Sequence, residues 1–172
     1  MKRRQISPAA LPAIGQPFDG GMRTTFVYHY TSVSQHLPPI LDTGELRPSN
    51  CGALEGEPAL LWFSRNRSWE ATAGKAVMHR GKLKLLSMRQ QHESFGCARF
   101  GIPTDDPRLM EWRDACQYAG IGREERRVME RNGKKRGGTS SDWLATATPI
   151  SLSEMTCQIF NGQTWESLTC AN

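Results

Sequence analysis

The sequence has few apolar runs. No segment approaches the roughly 18 consecutive apolar residues that a membrane-spanning helix needs. The basic start, Met1 to Ile6, is not followed by the apolar stretch of a secretory signal. These absences predict a cytoplasmic protein with no membrane partner.

Cysteine and histidine occur without the spacing of a metal or disulfide site. The five cysteines are odd in number and none has C-x-x-C spacing, and the four histidines form no H-x-x-x-H or H-E-x-x-H motif. We therefore expect a reducing compartment and no metal partner. The sequence also lacks G-x-G-x-x-G, G-x-x-x-x-G-K-[ST] and G-x-S-x-G, which argues against Rossmann, P-loop and serine-hydrolase sites.

Length and composition fit one small domain. The chain has 172 residues, of which 38% are apolar and 23% charged. We expect a flexible basic arm over residues 1–22, which are rich in Pro, Gly and Arg. We expect a single domain over residues 23–172. The net charge of +5 includes clusters at Lys2–Arg4 and Lys134–Arg136, which suit either a solvated basic face or contacts with phosphates.

The residue pattern predicts an α+β fold. β-branched and aromatic residues indicate a strand over Thr24–Tyr30, and helical spacing follows over Ser32–Gly44, where Pro38 and Pro39 suit only a first turn. Further strands are predicted at Ala59–Ser64, Gly81–Met88, Phe95–Ile102, Trp143–Thr148, Met155–Phe160 and Thr164–Leu168, and further helices at Trp69–Met78, Leu109–Tyr118 and Arg123–Arg131. Asn161-Gly162 indicates a terminal hairpin. This order favours a mixed or antiparallel sheet.

The most informative stretch is Val27 to Ser49, VYHYTSVSQHLPPILDTGELRPS. A strand ending in His-Tyr-Thr is followed at once by L-P-x-I-L-x-x-G-x-L, and the later strand contains Trp-Phe-Ser. Over roughly residues 24–78, the chain resembles the opening of ADP-ribosyltransferase folds. It is most similar to DarT-type DNA ADP-ribosyltransferase toxins and to small phage and bacterial proteins of that shape. RNA 2′-phosphotransferases share the fold. The resemblance implies a split, mixed or antiparallel sheet with flanking helices, and NAD as substrate.

The resemblance also implies site residues. His29 would hydrogen-bond an adenosine-ribose hydroxyl of NAD, Thr31 would add a hydroxyl contact, and Tyr30 would pack against a ring of the dinucleotide. The segment Trp62-Phe63-Ser64 would line the nicotinamide pocket. Because neighbouring side chains of a strand point to opposite faces, at least one of its two aromatic residues is expected in the core.

Transfer from NAD also needs a carboxylate, because cleavage of the nicotinamide–ribose bond builds positive charge on the sugar. The resemblance implies a glutamate on a late strand or at its edge. Glu154 is preferred, since it opens the strand Met155–Phe160, with Glu166 and the earlier Glu70 and Glu93 as alternatives. The Q-x-E and E-x-E spacings of the arginine-modifying branch are absent.

The resemblance therefore implies an NAD-dependent ADP-ribosyltransferase that modifies a nucleic-acid or host-protein acceptor, such as a phage or toxin-type effector, with His29, Tyr30, Ser64 and Glu154 as its catalytic residues. Three alternatives stay open. One is a non-catalytic nucleotide- or partner-binding module of the same fold. Another is an RNA 2′-phosphotransferase-like enzyme using Arg65 and Arg67, and the last is a plain nucleic-acid-binding protein.

Overall fold

The computed structural model of the protein describes residues 25–49 and 56–168. The predicted basic arm 1–22 lies outside the described residues. The strands are β1 (Phe26–Ser32), β2 (Glu45–Leu46), β3 (Leu61–Ser64), β4 (Ala76–His79), β5 (Lys82–Leu85), β6 (Cys97–Pro103), β7 (Met110–Glu111), β8 (Trp143–Thr146), β9 (Ile150–Ser151), β10 (Thr156–Phe160) and β11 (Trp165–Ser167). The helices are α1 (Val33–Thr43), α2 (Met88–Phe95), α3 (Trp112–Tyr118) and α4 (Arg123–Lys135).

Seven strands form one antiparallel sheet in the order β11-β10-β6-β1-β3-β8-β7. The predicted α+β class is confirmed, and the sheet is antiparallel throughout. β1 lies at its centre, paired with β6 along its whole length and with β3 at Tyr28 opposite Ser64. Two further strand pairs, β2 with β9 and β4 with β5, stand apart from this sheet.

The two faces of the central sheet differ in chemistry. On one face, Val27, Phe63 and Phe100 belong to the main apolar core, which also contains Leu37 of α1; we call this the α1 face. On the opposite face, Trp62 packs against Trp112 of α3, with ring centroids 5.6 Å apart. The strand alternation places Tyr28, Tyr30, Ser64 and Arg99 on this second face; we call it the aromatic face.

The predicted helix after β1 is confirmed. α1 ends at Gly44, whose φ of 69° is the left-handed conformation that glycine adopts without a side-chain clash. Pro38 and Pro39 lie inside the helix rather than in its first turn, so that expectation was wrong. The strands expected at Ala59–Ser64, Phe95–Ile102 and Trp143–Thr148 and the terminal hairpin are also present, with shifted ends.

The helix predicted over Trp69–Met78 is wrong. A short 3-10 turn over Ala71–Ala73 ends at Gly74, and the chain then enters β4. Glu70 starts the turn, and its side chain accepts a hydrogen bond from the Thr72 N–H two residues on. Helix α2 was not predicted; it begins with a capping box formed by Ser87 and Gln90.

Within 25–49 and 56–168, none of the helices is both long and apolar enough to cross a bilayer.

Candidate active site

The centre of the sheet brings the His-Tyr-Thr and Trp-Phe-Ser segments together. β1 and β3 are neighbours, yet their ladder contains the single pair Tyr28 and Ser64. One residue further along β1, the His29 side chain reaches the neighbouring strand, and its Nδ1 lies 2.9 Å from the Trp62 carbonyl oxygen. A side chain therefore bridges the two strands where their backbone pairing ends.

The His29 imidazole is held neutral. Burial lowers its pKa to about 4, and this effect outweighs the opposing hydrogen bond to the Trp62 carbonyl. Because a carbonyl oxygen only accepts, Nδ1 must carry the proton and donate it. Nε2 is then an acceptor. His29 as a residue is intermediate in exposure, and a fixed acceptor nitrogen of this kind suits a sugar hydroxyl.

Further polar groups lie near His29 at the end of β1. The buried Ser32 hydroxyl is 2.7 Å from Nδ1 of His36. Lys75 acts electrostatically on both histidines and lowers their pKa values after the larger effect of burial. Gln91 of α2 is fully buried; its Oε1 accepts from the Lys75 N–H at 2.8 Å, and its Nε2 has no hydrogen-bond partner within the described residues. This region is rich in hydrogen-bonding groups and carries positive charge.

A buried carboxylate lies on the aromatic face. Glu70 is 5% exposed, and its Oε2 accepts from the Ser64 hydroxyl at 2.8 Å. Its Oε1 accepts from the Thr72 hydroxyl at 2.6 Å and from the Thr72 N–H at 3.1 Å. Gly138 lies against the same oxygen, since a Cβ at that position would be 2.8 Å from Oε1. Three donors therefore hold one carboxylate in a fixed orientation.

The same face of the sheet carries an arginine among aromatic rings. The Arg99 guanidinium lies over Tyr28 at 4.1 Å and over Trp165 at 4.4 Å from the ring centroids. It donates to Gln158 at 2.7 Å and to the Arg67 carbonyl. Arg99 is 7% exposed, and no ion pair is found for it within the described residues. The two rings and the two hydrogen-bond acceptors offset the free-energy cost of burying the Arg99 charge.

Tyr30 links the two charged groups. Its hydroxyl donates to the Asn66 carbonyl, and its ring packs against Trp69 with centroids 5.1 Å apart. Burial raises the pKa of Tyr30 to about 12, partly opposed by Arg99 and reinforced by Glu70. Tyr30 therefore keeps its hydroxyl proton at neutral pH, and a buried cation and a buried anion act on it in opposite senses.

The segment 65–75 connects the groups on the two faces. It leaves β3 and covers Tyr30 with Asn66 and Trp69 on the aromatic face. It then supplies Glu70 and reaches Gln91 and the two histidines with Lys75. One short segment thus contributes to both sides of the C-terminal half of β1.

The structure divides the predicted site residues between the faces. His29, Thr31 and Phe63 lie on the α1 face, where Thr31 is buried and Phe63 belongs to the core. Tyr30, Trp62 and Ser64 lie on the aromatic face, where Trp62 packs against α3. The expectation that at least one of the two aromatic residues of Trp62-Phe63-Ser64 lies in the core is confirmed.

The structure separates the preferred carboxylate from the other predicted residues. Glu154 lies in a 3-10 turn before β10, is 44% exposed in its side chain and forms an ion pair with Arg108 at 2.8 Å. β10 lies three positions from β3, which corresponds to about 14 Å at normal strand spacing. Glu166 is exposed on the edge strand β11 and accepts a hydrogen bond from Asn161. Glu70 is the alternative that lies beside Ser64 and Tyr30.

Arg65, considered for phosphate contact, is engaged elsewhere. Its guanidinium binds the Glu111 carboxylate, with one N–O distance of 3.1 Å, and donates to the Ser141 carbonyl at 2.7 Å. This ion pair raises the pKa of Arg65 and lowers that of Glu111. The loose match to an RNA 2′-phosphotransferase therefore gains no support from Arg65.

Arg99 and Trp165 are site residues that were not predicted from the sequence. An arginine in the middle of the otherwise apolar strand Cys97–Pro103 is a usable signal, because a buried cation needs a specific environment. Trp165 carried no such signal, since its contact with Arg99 depends on how the terminal hairpin docks onto β6. Glu70 was an alternative behind Glu154, because the resemblance implies a glutamate on a late strand and Glu70 lies earlier in the chain.

Comparisons with known proteins find no matching family model, no similar curated protein and no similar solved structure. Within the described ranges, no group of three or more His, Cys, Asp or Glu side chains is arranged to hold a metal ion.

Proposed function

We propose that this protein is an NAD-dependent ADP-ribosyltransferase that acts on a nucleic-acid or protein acceptor. The observation that carries the proposal is the neutral His29, which bridges β1 and β3 through Nδ1 and presents Nε2 as an acceptor. The residues around it supply what a dinucleotide needs: a hydroxyl acceptor, a cation at Lys75 and aromatic surface.

In this proposal, His29 accepts a hydrogen bond from a ribose hydroxyl of the adenosine half. Its hydrogen bond to Trp62 fixes both the tautomer and the ring orientation. Tyr30 is 5% exposed and packs against Trp69 and Trp165, so it supports segment 65–75 from beneath, with its hydroxyl held by Asn66. The two groups lie on opposite faces of β1, so we place the dinucleotide across the end of that strand, where segment 65–75 passes from one face to the other.

The reaction breaks the bond between C1′ of the ribose and nitrogen N1 of nicotinamide, and the electron pair leaves with nicotinamide. A bond forms between C1′ and the nucleophilic atom of the acceptor, whose proton passes to a base. We assign stabilisation of the positive charge on the sugar to Glu70, because Ser64 and Thr72 hold this carboxylate in place before the reaction. This assignment replaces the preference for Glu154.

The test is incubation of the purified protein with NAD, labelled in its adenosine half, and a cell lysate. We expect release of nicotinamide and transfer of label to one class of macromolecule, with both reduced strongly in His29→Ala. His79→Ala, on the exposed strand β4, is the matched control and should behave as wild type. Absence of nicotinamide release and of transfer in the wild type would exclude the proposed activity.

A second candidate is a nucleotide-binding module without catalysis. The observation that favours it is the state of Glu70, whose two oxygens already accept three hydrogen bonds from the protein. Such a carboxylate can be a structural element that fixes segment 65–75. NAD binding without nicotinamide release would support this candidate.

A further inference from the structure

The β4–β5 hairpin has an exposed apolar face. Its two strands pair only with each other within the described residues. The register places Ala76 opposite Leu85 and Met78 opposite Leu83, so these four side chains share one face. Met78 is 67% exposed, Leu83 70% and Leu85 41%. A cluster of large apolar side chains this exposed is unusual on a soluble protein and marks an interaction surface.

The other face of the same hairpin is basic. Val77 pairs with Lys84 and His79 with Lys82, and Arg80 occupies the turn. Arg80 has a φ of 49° and is the one non-glycine residue with a positive φ in the described ranges. Glycine or asparagine suits such a turn position better. The turn thus places a cation at the outer end of the hairpin despite an unfavourable backbone conformation.

The surrounding sequence is also uniformly basic. Residues 71–92 contain five lysines and arginines, namely Lys75, Arg80, Lys82, Lys84 and Arg89, and no aspartate or glutamate. Basic and acidic residues are equal in number over the rest of the chain, whose overall net charge is +5, so this segment has a local excess of positive charge. The hairpin therefore suits a partner that is anionic and also accepts apolar side chains.

We propose that the β4–β5 hairpin binds the surface of an anionic lipid bilayer. Met78, Leu83 and Leu85 would enter the boundary between headgroups and acyl chains, while Arg80, Lys82 and Lys84 contact lipid phosphates. A lipid surface fits better than a nucleic acid, because phosphate backbones offer little to an exposed methionine and two leucines. A second copy of the chain fits poorly, because two hairpins of the same positive charge repel each other.

This inference is independent of the proposed enzyme activity. It revises the expectation of no membrane partner, which was drawn from the lack of a spanning segment. Binding at a bilayer surface requires an amphipathic element and cations, and it requires no spanning helix.

The experiment is co-sedimentation of the full chain with vesicles of phosphatidylcholine alone and with mixed vesicles of phosphatidylcholine and phosphatidylglycerol. We expect binding to the mixed vesicles that falls with added salt, and little binding to phosphatidylcholine alone. The double variant Met78→Ser/Leu83→Ser should lose more than about ten-fold in vesicle affinity. Lys82→Gln/Lys84→Gln should lose on the order of ten-fold or more, given the usual contribution of a cation near an anionic surface.

Matched controls come from α4, which also exposes apolar and basic residues. Val128→Ser/Met129→Ser and Lys134→Gln/Lys135→Gln alter side chains of the same types outside the hairpin. Both control variants should bind vesicles as the wild type does. Melting temperatures of all four variants separate loss of binding from loss of folding, because the altered hairpin side chains are exposed and contribute little to the core.

Three results would overturn the inference. The first is absence of binding to the mixed vesicles. The second is equal loss of binding in the hairpin and α4 variants, which would indicate attraction by general positive charge. The third is binding to duplex DNA that depends on the hairpin, together with no vesicle binding, which would assign the surface to nucleic acid.

Discussion

The Glu70 carboxylate gives the sharpest prediction, because its structural and catalytic roles can be separated. Glu70→Ala removes the acceptor of three hydrogen bonds and leaves the buried Ser64 hydroxyl and the Thr72 N–H without this partner. Each unsatisfied buried group costs about 1–3 kcal/mol. We therefore expect Glu70→Ala to lower the free energy of unfolding by about 2–6 kcal/mol.

Glu70→Gln keeps the side-chain volume and one acceptor oxygen for Thr72 but removes the negative charge. Ser64 must then accept from the new amide instead of donating. We expect a loss of about 1 kcal/mol in the free energy of unfolding, measured by urea denaturation followed by tryptophan fluorescence. Nicotinamide release should fall by about 10²–10³, the effect of removing one pre-oriented electrostatic group.

Gly138→Ala tests the position of the same carboxylate without removing it. The added Cβ would lie 2.8 Å from Oε1 of Glu70 and 3.0 Å from Cγ2 of Thr72. We expect nicotinamide release to fall while the charge remains. Glu154→Gln is the control, since it alters an exposed carboxylate outside this cluster. Full activity of Glu70→Gln together with loss of activity in Glu154→Gln would refute the assignment.

Two further predictions concern stability. Because the pKa of His29 is about 4 in the folded protein and about 6.5 in the unfolded chain, the unfolded state binds more protons between these values, so stability falls as the pH drops through this window. From pH 7.5 to 5, wild type should lose about 2 kcal/mol more than His29→Gln in urea denaturation; equal losses would contradict the prediction. Gly133→Ala would place a Cβ 2.2 Å from Cη2 of Trp143, so the melting temperature should fall by about 3–10 °C despite the better helix propensity of alanine. Gly122→Ala, with open space around it, should change the melting temperature little.

Much of the fold could be predicted because its signals are local. The aromatic and β-branched residues of β1 and the glycine that ends α1 determine structure within a few residues of themselves. The terminal hairpin follows from Asn161-Gly162 in the same way. The α+β class then follows from the order of the elements.

The segment after β3 could not be predicted from local pattern. Trp69–Met78 has helical spacing, but Glu70 uses its side chain in tertiary hydrogen bonds with Ser64 and in capping Thr72. At Gly74, an added Cβ would lie 2.9 Å from the Leu86 carbonyl oxygen. Contacts made across the fold override helix propensity here.

The arrangement of the candidate site was predicted only in part. Strand alternation can be read from local sequence, but the order of the strands in the sheet cannot. The neighbourhood of His29 and Trp62 agrees with the order of β1 and β3 in the sheet. The distance of Glu154 from β3 depends on the strands that lie between β10 and β3. No local sequence pattern indicates which strands these are. For the same reason Arg99 and Trp165 could not be paired from the sequence.

The most direct test of the central claim is calorimetric titration of NAD into the protein at neutral pH, with His29→Ala and His79→Ala measured in parallel. The account predicts saturable binding with a Kd between about 1 μM and 1 mM, in the range of enzyme–substrate affinities. This binding should be lost in His29→Ala and unchanged in His79→Ala. Absence of saturable binding to the wild type, or equal binding to His29→Ala, would contradict it.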